Sequence, residues 1–127
     1  MKQVEQTYVI EAPLDKVWQA FVEPEIIVRW GGGPAKMSAE ASSDFSLWGG
    51  DIFGTNTKVV EHELLEQDWY SGDQWPQPSK VTFSFKSDGD KTIVRLKHTN
   101  IPDDEAKDIE QGWQDYYLGP IKELLES

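Results

Sequence analysis

The stretch that decides the fold is IPDDEAKDIEQGWQDYYLGPIKELLES, residues 101–127. A proline and an acidic cluster precede one long helical pattern. Asp103 or Asp104 is suited to cap this helix, because early carboxylates match its positive N-terminal end. The apolar side chains recur at steps of three and four residues, so they share one face: Ala106, Ile109, Trp113, Tyr117, Ile121 and Leu124. We predict an amphipathic helix that lies across the concave face of a sheet.

The residues before this helix predict strands, with two short helices near the start. Residues 3–11 read as a strand, and residues 14–21 and 24–30 as short helices. From residue 35 the pattern has period two, which predicts strands at residues 35–41, 45–47, 52–60, 64–70, 81–85 and 94–98. Gly49-Gly50-Asp51 and Asp88-Gly89-Asp90 are hairpin turn signals. The order predicts one α+β domain, residues 1–127, with an antiparallel sheet.

One face of this sheet is apolar. Its predicted members are Trp69, Val81, Phe83, Phe85, Val94 and Leu96, whereas Arg95 is predicted to point outward. We expect the helix to cover this face. A strongly curved sheet that grips a helix is often not filled by its own side chains, so we also expect a cavity between them.

Composition narrows the class of protein. The 127 residues carry a formal net charge of −11, which argues against nucleic acid and anionic membrane as partners, because both need a basic patch. No run of about eighteen apolar residues and no leader pattern is visible. The sequence has no cysteine, which excludes disulfides and thiolate metal sites. We expect a cytoplasmic protein without a cofactor or a metal.

Three stretches resemble a known family. The segment APLDKVWQAFVEPE, residues 12–25, is similar to the opening of the START-related, birch-pollen-allergen-like helix-grip (SRPBCC) superfamily. Residues 54–69 resemble its strand pair that ends in a tryptophan. The IPDDE, EQGW and YY elements of the last helix resemble the C-terminal domain of the activator of heat-shock protein 90 ATPase homologue 1-like family. The similarity extends from Tyr8 to Leu124.

The resemblance implies a helix-grip fold: a curved seven-stranded antiparallel sheet with two short helices and one long C-terminal helix. It does not imply a mechanism, since the superfamily ranges from lipid carriers to cyclases. Two positions depart from the family pattern. Glu23 stands where the family usually has Asp, and Gly119-Pro120 interrupts the last helix, where Pro120 should kink or end it.

Seven residues are predicted to line the cavity: Trp69, Phe83, Phe85, Leu96, His98, Trp113 and Tyr117. Trp113 is interpreted either as core packing or as a ligand wall, and Gly112 before it as the residue that lets the helix approach the sheet. Tyr117 is the better inward candidate than Tyr116, because it lies four residues after Trp113.

The two histidines are interpreted differently. His98 shares its face with Val94 and Leu96, so it is either a hydrogen-bonded core residue or an acid–base group in the cavity. His62 lies between two glutamates in a turn and is expected to be solvated. The spacing of the two histidines does not match a metal site. The Gly31-Gly32-Gly33 loop is not a phosphate-binding loop, and with Trp75 and Pro76 it is a hypothetical lip of the cavity.

Three functions follow as hypotheses. The first is a non-enzymatic domain that binds a hydrophobic or amphipathic small molecule between sheet and helix. The second, implied by the resemblance alone, is a co-chaperone or stress-response module that binds a heat-shock protein 90 type chaperone. The third is an enzyme of cyclase or hydrolase type that uses His98 or a buried carboxylate.

Overall fold

The computed structural model describes residues 2–71 and 78–126. The strands are β1 (Lys2–Ile10), β2 (Asp44–Leu47), β3 (Ile52–Val60), β4 (Leu64–Ser71), β5 (Ser79–Asp88) and β6 (Lys91–Ile101). The helices are α1 (Leu14–Val22), α2 (Pro24–Trp30), α3 (Ala106–Gly112), a π-helical segment (Trp113–Leu118) and α4 (Gly119–Glu126), and a 3₁₀ turn occupies Trp48–Gly50. The predicted loop over residues 71–78, with Trp75 and Pro76, falls almost entirely outside the described residues.

The described strands form one antiparallel sheet in the order β1-β6-β5-β4-β3-β2. The sheet has six strands, so the expectation of seven is wrong. The missing strand is the predicted one over residues 35–41, which pairs with β2 only at an isolated bridge between Lys36 and Ser46. The chain then turns, with Ser42 at a φ of 67°, and its small alanine and serine side chains give no continuous apolar row to hold a strand.

The alternation predicted for β5 and β6 is confirmed. Val81, Phe83 and Phe85 are buried, and so are Val94 and Leu96 on the neighbouring strand. The residues between them point away from the core, as predicted for Arg95, which is exposed. The sheet therefore has one apolar face, and the helices occupy that face.

Helix α1 packs over β5, and helix α2 packs against α1. The ring of Phe21 in α1 meets the rings of Phe83 and Phe85 edge-on at 4.8 and 5.0 Å. The indole N–H of Trp30 at the end of α2 donates a 2.8 Å hydrogen bond to the Ala20 carbonyl, which joins the two helices inside the core. These contacts cover Phe83 and Phe85 on the inner face of β5.

The last helix crosses the inner face, as predicted. The ring of Trp113 lies 4.9 Å from that of Trp69 in β4, 5.6 Å from that of Phe83 in β5 and 5.6 Å from that of His98 in β6. Its C-terminal turn is fastened to β1, because the Lys122 ammonium donates a 2.7 Å hydrogen bond to the Val9 carbonyl. The helix is thus held at its centre by aromatic packing and at its end by a polar contact.

Of the two expectations for Pro120, a kink or the end of the helix, the second is wrong, because the helix continues to Glu126. Immediately before Pro120 the turns widen into the π-helical segment, and the Gly119 N–H bonds to the Gln114 carbonyl five residues earlier. A Cβ added at Gly119 would lie 2.0 Å from that carbonyl oxygen, so only glycine fits. Pro120, which has no N–H to donate, directly follows this wide turn, and the rings of Trp113 and Tyr117 within the segment lie 4.8 Å apart.

One local expectation is corrected. His62 is half-buried rather than solvated, because its ring packs edge-on against Trp18 at 6.0 Å. The glycine-rich loop supports the 3₁₀ turn, since the Gly32 carbonyl accepts a 2.8 Å hydrogen bond from the Trp48 N–H. In the described ranges, no helix combines the length and the hydropathy needed to cross a lipid bilayer.

Candidate ligand cleft between the C-terminal helix and the sheet

A cleft of about 280 Å³ lies between the last helix and the β3–β4 side of the sheet. Its walls are mainly aromatic and its rim carries carboxylates. The described lining residues are Trp48, Ile52, Trp69, His98, Glu105, Asp108, Ile109, Gly112, Trp113, Tyr116 and Tyr117. This is the kind of space expected from the sequence.

Four of the seven predicted lining residues meet here: Trp69, His98, Trp113 and Tyr117. The other three, Phe83, Phe85 and Leu96, are buried in the core but do not line the cleft. Phe83 and Phe85 are covered by the ring of Phe21, so helix α1 fills the space that the sequence pattern left open.

Sequence reasoning missed the opposite wall and the rim. Trp48 lies in the turn between β2 and β3, with a φ of 50°, and its ring meets that of Tyr117 at 6.1 Å. The glycines of this turn mark it in the sequence, but period-two alternation gives no orientation for a turn residue. The side chain of Tyr116, the less favoured inward candidate, is 67% exposed at the rim.

Gly112 does not have the predicted role. A Cβ at this position would meet only Tyr116 of the same helix, at 3.9 Å. Close approach of the helix to the sheet therefore does not require this glycine. Gly112 instead leaves part of the cleft unfilled.

A buried polar chain crosses the floor of the cleft. The Trp113 indole N–H donates to Nδ1 of His98 at 3.0 Å, and Nε2 of His98 lies 2.7 Å from the Ser79 hydroxyl. Since an indole nitrogen can only donate, Nδ1 must be the acceptor and the proton of the neutral ring sits on Nε2. Of the two interpretations of His98, the hydrogen-bonded core residue is the one that this geometry matches.

Burial lowers the pKa of His98 to about 3, from an ordinary value of 6.5. The imidazole is therefore neutral at physiological pH. Both ring nitrogens already have partners within the protein. A histidine in this state stabilises the core and is poorly placed to exchange a proton with a ligand.

A second buried chain runs from the cleft toward the β2 edge. The Trp69 indole N–H donates to the Gln67 side-chain oxygen at 2.7 Å, and the Gln67 amide donates to the Asn56 oxygen at 2.8 Å. The Asn56 amide in turn reaches the Ser38 carbonyl at 3.2 Å. This chain fixes the orientation of the Trp69 ring and of the segment that precedes β2.

Unlike the polar groups in these two chains, the Tyr117 hydroxyl has no hydrogen-bond partner in the described ranges. The Tyr117 side chain is 1% exposed, and its hydroxyl is the one buried side-chain oxygen or nitrogen in the described ranges without a hydrogen-bond partner. Burial raises the pKa of the phenol, so the hydroxyl stays protonated. Such a group is both a donor and an acceptor that the protein leaves unused.

A second depression, of about 330 Å³, lies between α1, α2 and α4. Its lining includes the charged residues Glu11, Lys16 and Arg29. Its described lining has neither aromatic walls nor a buried unpartnered polar atom, so the cleft at Trp113 is the stronger candidate site.

Comparison with known proteins places the chain in a family. The model of the Activator of Hsp90 ATPase homolog 1-like protein family matches residues 11–126. A crystal structure of an HSP90 activator from Plasmodium falciparum has a TM-score of 0.91 at 24% identity, covering 99% of this chain and 97% of that one. At this identity the likeness shows the fold alone.

Curated relatives agree with the family model. The activator of 90 kDa heat shock protein ATPase homolog of Dictyostelium discoideum is 32% identical over 114 residues, covering 87% of this chain and 29% of that protein. Homolog 1 of Homo sapiens is 24% identical over 113 residues, covering 87% and 33%. This chain spans about a third of the length of the curated relatives it matches. On this evidence, the chain belongs to the Activator of Hsp90 ATPase homolog 1-like protein family.

Proposed function

We propose that this protein binds a small hydrophobic or amphipathic molecule in the cleft beside Trp113, without transforming it chemically. The ligand would lie between the last helix and strands β3 and β4. The observation that carries the proposal is the aromatic-walled cleft, whose lining includes Tyr117 with its buried, unpartnered hydroxyl.

An unpartnered buried hydroxyl is unfavourable. Leaving such a group without a hydrogen bond costs about 1–3 kcal/mol in proteins, and native structures rarely tolerate it. A ligand with one polar atom next to an apolar body would give Tyr117 its partner and cover the surrounding rings. In the complex, this hydrogen bond would contribute to affinity.

The size of the cleft limits the ligand. Its volume of about 280 Å³ is near the lower end of the roughly 300–1,000 Å³ typical of ligand pockets. A molecule with a single ring or a short alkyl chain fits this volume better than a sterol or a long fatty acid.

A binding role fits the chemistry of the lining better than catalysis. Both nitrogens of His98 are engaged and its ring is neutral. The carboxylate of Asp108 is exposed at the rim rather than desolvated beside a reacting group. These features support a carrier or sensor rather than a cyclase or hydrolase.

The test is a thermal-shift and calorimetric screen with aromatic compounds, short and long fatty acids, and sterols. We expect small one-ring compounds to raise the melting temperature. Gly112→Leu should fill the cleft and abolish the shift, because a side chain at this position has room to project from the helix. Gln111→Leu, an exposed neighbour outside the lining, is the matched control and should leave binding unchanged. Binding that survives Gly112→Leu would contradict the proposed site.

A second candidate function rests on the family. The Dictyostelium and human relatives are named as activators of the 90 kDa heat shock protein ATPase, which favours a co-chaperone role for this domain. Pull-down with the host's own heat-shock protein 90, together with its ATPase rate, tests this. We expect association and a changed ATPase rate. If the protein neither binds the chaperone nor changes this rate, the co-chaperone role is ruled out. For both functions we propose the cytoplasmic location expected from the sequence. Cell fractionation tests this location.

A further inference from the structure

We propose that the ligand of the cleft carries a positive charge next to its apolar body, as a primary amine or a quaternary ammonium compound does. This inference rests on the proposed function and specifies the class of molecule bound. Three features support it: the negative charges at the rim, the floor donors that are already hydrogen-bonded within the protein, and the aromatic walls.

The formal charges that line the cleft are all negative. Glu105 and Asp108 contribute carboxylates from the start of the last helix, and the described lining contains no lysine or arginine. A neutral His98 adds no positive charge. The whole chain carries −11, so its long-range field also favours the approach of a cation and opposes that of an anion.

The floor of the cleft has few donors to offer an anion. The indole N–H groups of Trp69 and Trp113 are already bonded to Gln67 and His98, at 2.7 and 3.0 Å. An ionised fatty acid would therefore meet two carboxylates with little compensation. The unpartnered Tyr117 hydroxyl can donate as well as accept, so it favours neither sign of charge.

The walls are suited to a cation. Three tryptophan and two tyrosine rings line the cleft, and a cation within about 6 Å of such a ring face is attracted by its quadrupole. The Trp69 and Trp113 rings are 4.9 Å apart and tilted by 31°, whereas the Trp48 ring stands at 75° to that of Tyr117. Aromatic rings grouped around one small volume are the setting in which proteins recognise ammonium groups.

The experiment compares three ligands that share one apolar body: 4-phenylbutylamine, 4-phenylbutanol and 4-phenylbutanoate. Dissociation constants are measured by calorimetry at low salt and at 0.5 M sodium chloride. We expect the amine to bind at least about tenfold more tightly than the carboxylate, with the alcohol between them. Added salt should narrow this difference, because the rim carboxylates are accessible to screening ions.

The variants Glu105→Gln and Asp108→Asn test whether the rim carboxylates cause the preference for the amine. Each variant should lower the affinity for the amine by about two- to fivefold and leave the affinity for the alcohol unchanged. Glu61→Gln is the matched control: it removes the same charge from the exposed turn between β3 and β4, outside the lining. It should leave the order of the three ligands intact.

The possible outcomes separate this inference from the proposed function. If the alcohol or the carboxylate binds as tightly as the amine, the cleft binds ligands but the charge preference is wrong. The charge preference is also wrong if Glu61→Gln weakens the amine as much as Asp108→Asn does. If none of the three ligands binds, both the charge preference and the small-molecule function fall together.

Discussion

Trp113 and His98 are joined by a buried hydrogen bond of 3.0 Å, in which the indole N–H of the last helix donates to the imidazole Nδ1 of strand β6. This bond joins two elements that the sequence separates by the whole β6–α3 connection. It also determines the tautomer of the imidazole, since the remaining ring proton must then face Ser79. The contact that anchors the helix therefore also fixes the tautomer of His98.

Replacing Trp113 with phenylalanine should lower the free energy of unfolding by about 1–3 kcal/mol. The change keeps an aromatic ring but leaves Nδ1 of His98 buried without its donor, and an orphaned acceptor costs about this much. Urea denaturation measures the effect. Trp48→Phe is the matched control, because in the described ranges the Trp48 indole makes no side-chain hydrogen bond, and it should cost less. Equal losses for the two variants would contradict the assigned role of the bond.

The stability of the protein should fall in mild acid because of His98. The unfolded chain binds a proton on this residue below about pH 6.5, whereas the folded protein binds it only below about pH 3. Between these values the unfolded state holds more protons, so the free energy of unfolding decreases as the pH falls, by on the order of 4–5 kcal/mol across the window.

The control for this pH dependence is His98→Gln, which does not titrate but keeps one acceptor and one donor. Carboxylates titrate in both proteins, so the difference between their stability curves isolates the imidazole. We expect the wild type to lose stability more steeply than the variant between pH 6.5 and pH 3. Parallel curves would show that His98 is not held in the neutral form.

The fold is largely predictable because its main signals are local. Period-two alternation identifies the inner face of β5 and β6, and the three- and four-residue steps identify the covering helix. The additional strand is overpredicted from alternating alanines, whose small side chains bury too little area to hold a strand edge. The family resemblance carries the same count of seven strands, so it does not correct the error.

The candidate site is predictable only in part. Trp69, His98, Trp113 and Tyr117 lie on regular elements, where spacing fixes the side-chain direction. Trp48 lies in a turn with positive φ, and its direction depends on tertiary contacts that spacing does not encode. The sequence pattern does not predict that Phe83 lies outside the cleft. Its exclusion depends on how deeply helix α1 packs.

Replacing Tyr117 with phenylalanine should affect stability and binding in opposite directions. Without ligand, removing the unpartnered hydroxyl should leave the free energy of unfolding unchanged or raise it by about 1 kcal/mol. Affinity for 4-phenylbutylamine should fall about two- to tenfold, the value of one hydrogen bond. Calorimetry and urea denaturation measure the two effects.

Tyr8→Phe is the control with the opposite sign. The Tyr8 hydroxyl donates a 2.7 Å hydrogen bond to the Gln6 side chain and does not line the cleft. Its removal should cost about 0.5–1.5 kcal/mol of stability without changing affinity. If Tyr117→Phe behaved like Tyr8→Phe in both measurements, the Tyr117 hydroxyl would have no part in ligand binding.

Gly119→Ala and Gly112→Ala should change stability in opposite directions, although both replace a glycine in the same helix. A methyl group at Gly119 would lie 2.0 Å from the Gln114 carbonyl oxygen, so the π-helical segment must rearrange, and we expect a loss of more than about 2 kcal/mol. A methyl group at Gly112 meets only the Tyr116 ring at 3.9 Å and should add about 0.5–1 kcal/mol through helix propensity. Because Trp113 and Tyr117 lie within the π-helical segment, Gly119→Ala should also change the near-ultraviolet circular dichroism of the tryptophans. A Gly119→Ala protein with wild-type stability and spectrum would show that the wide turn does not position these two rings.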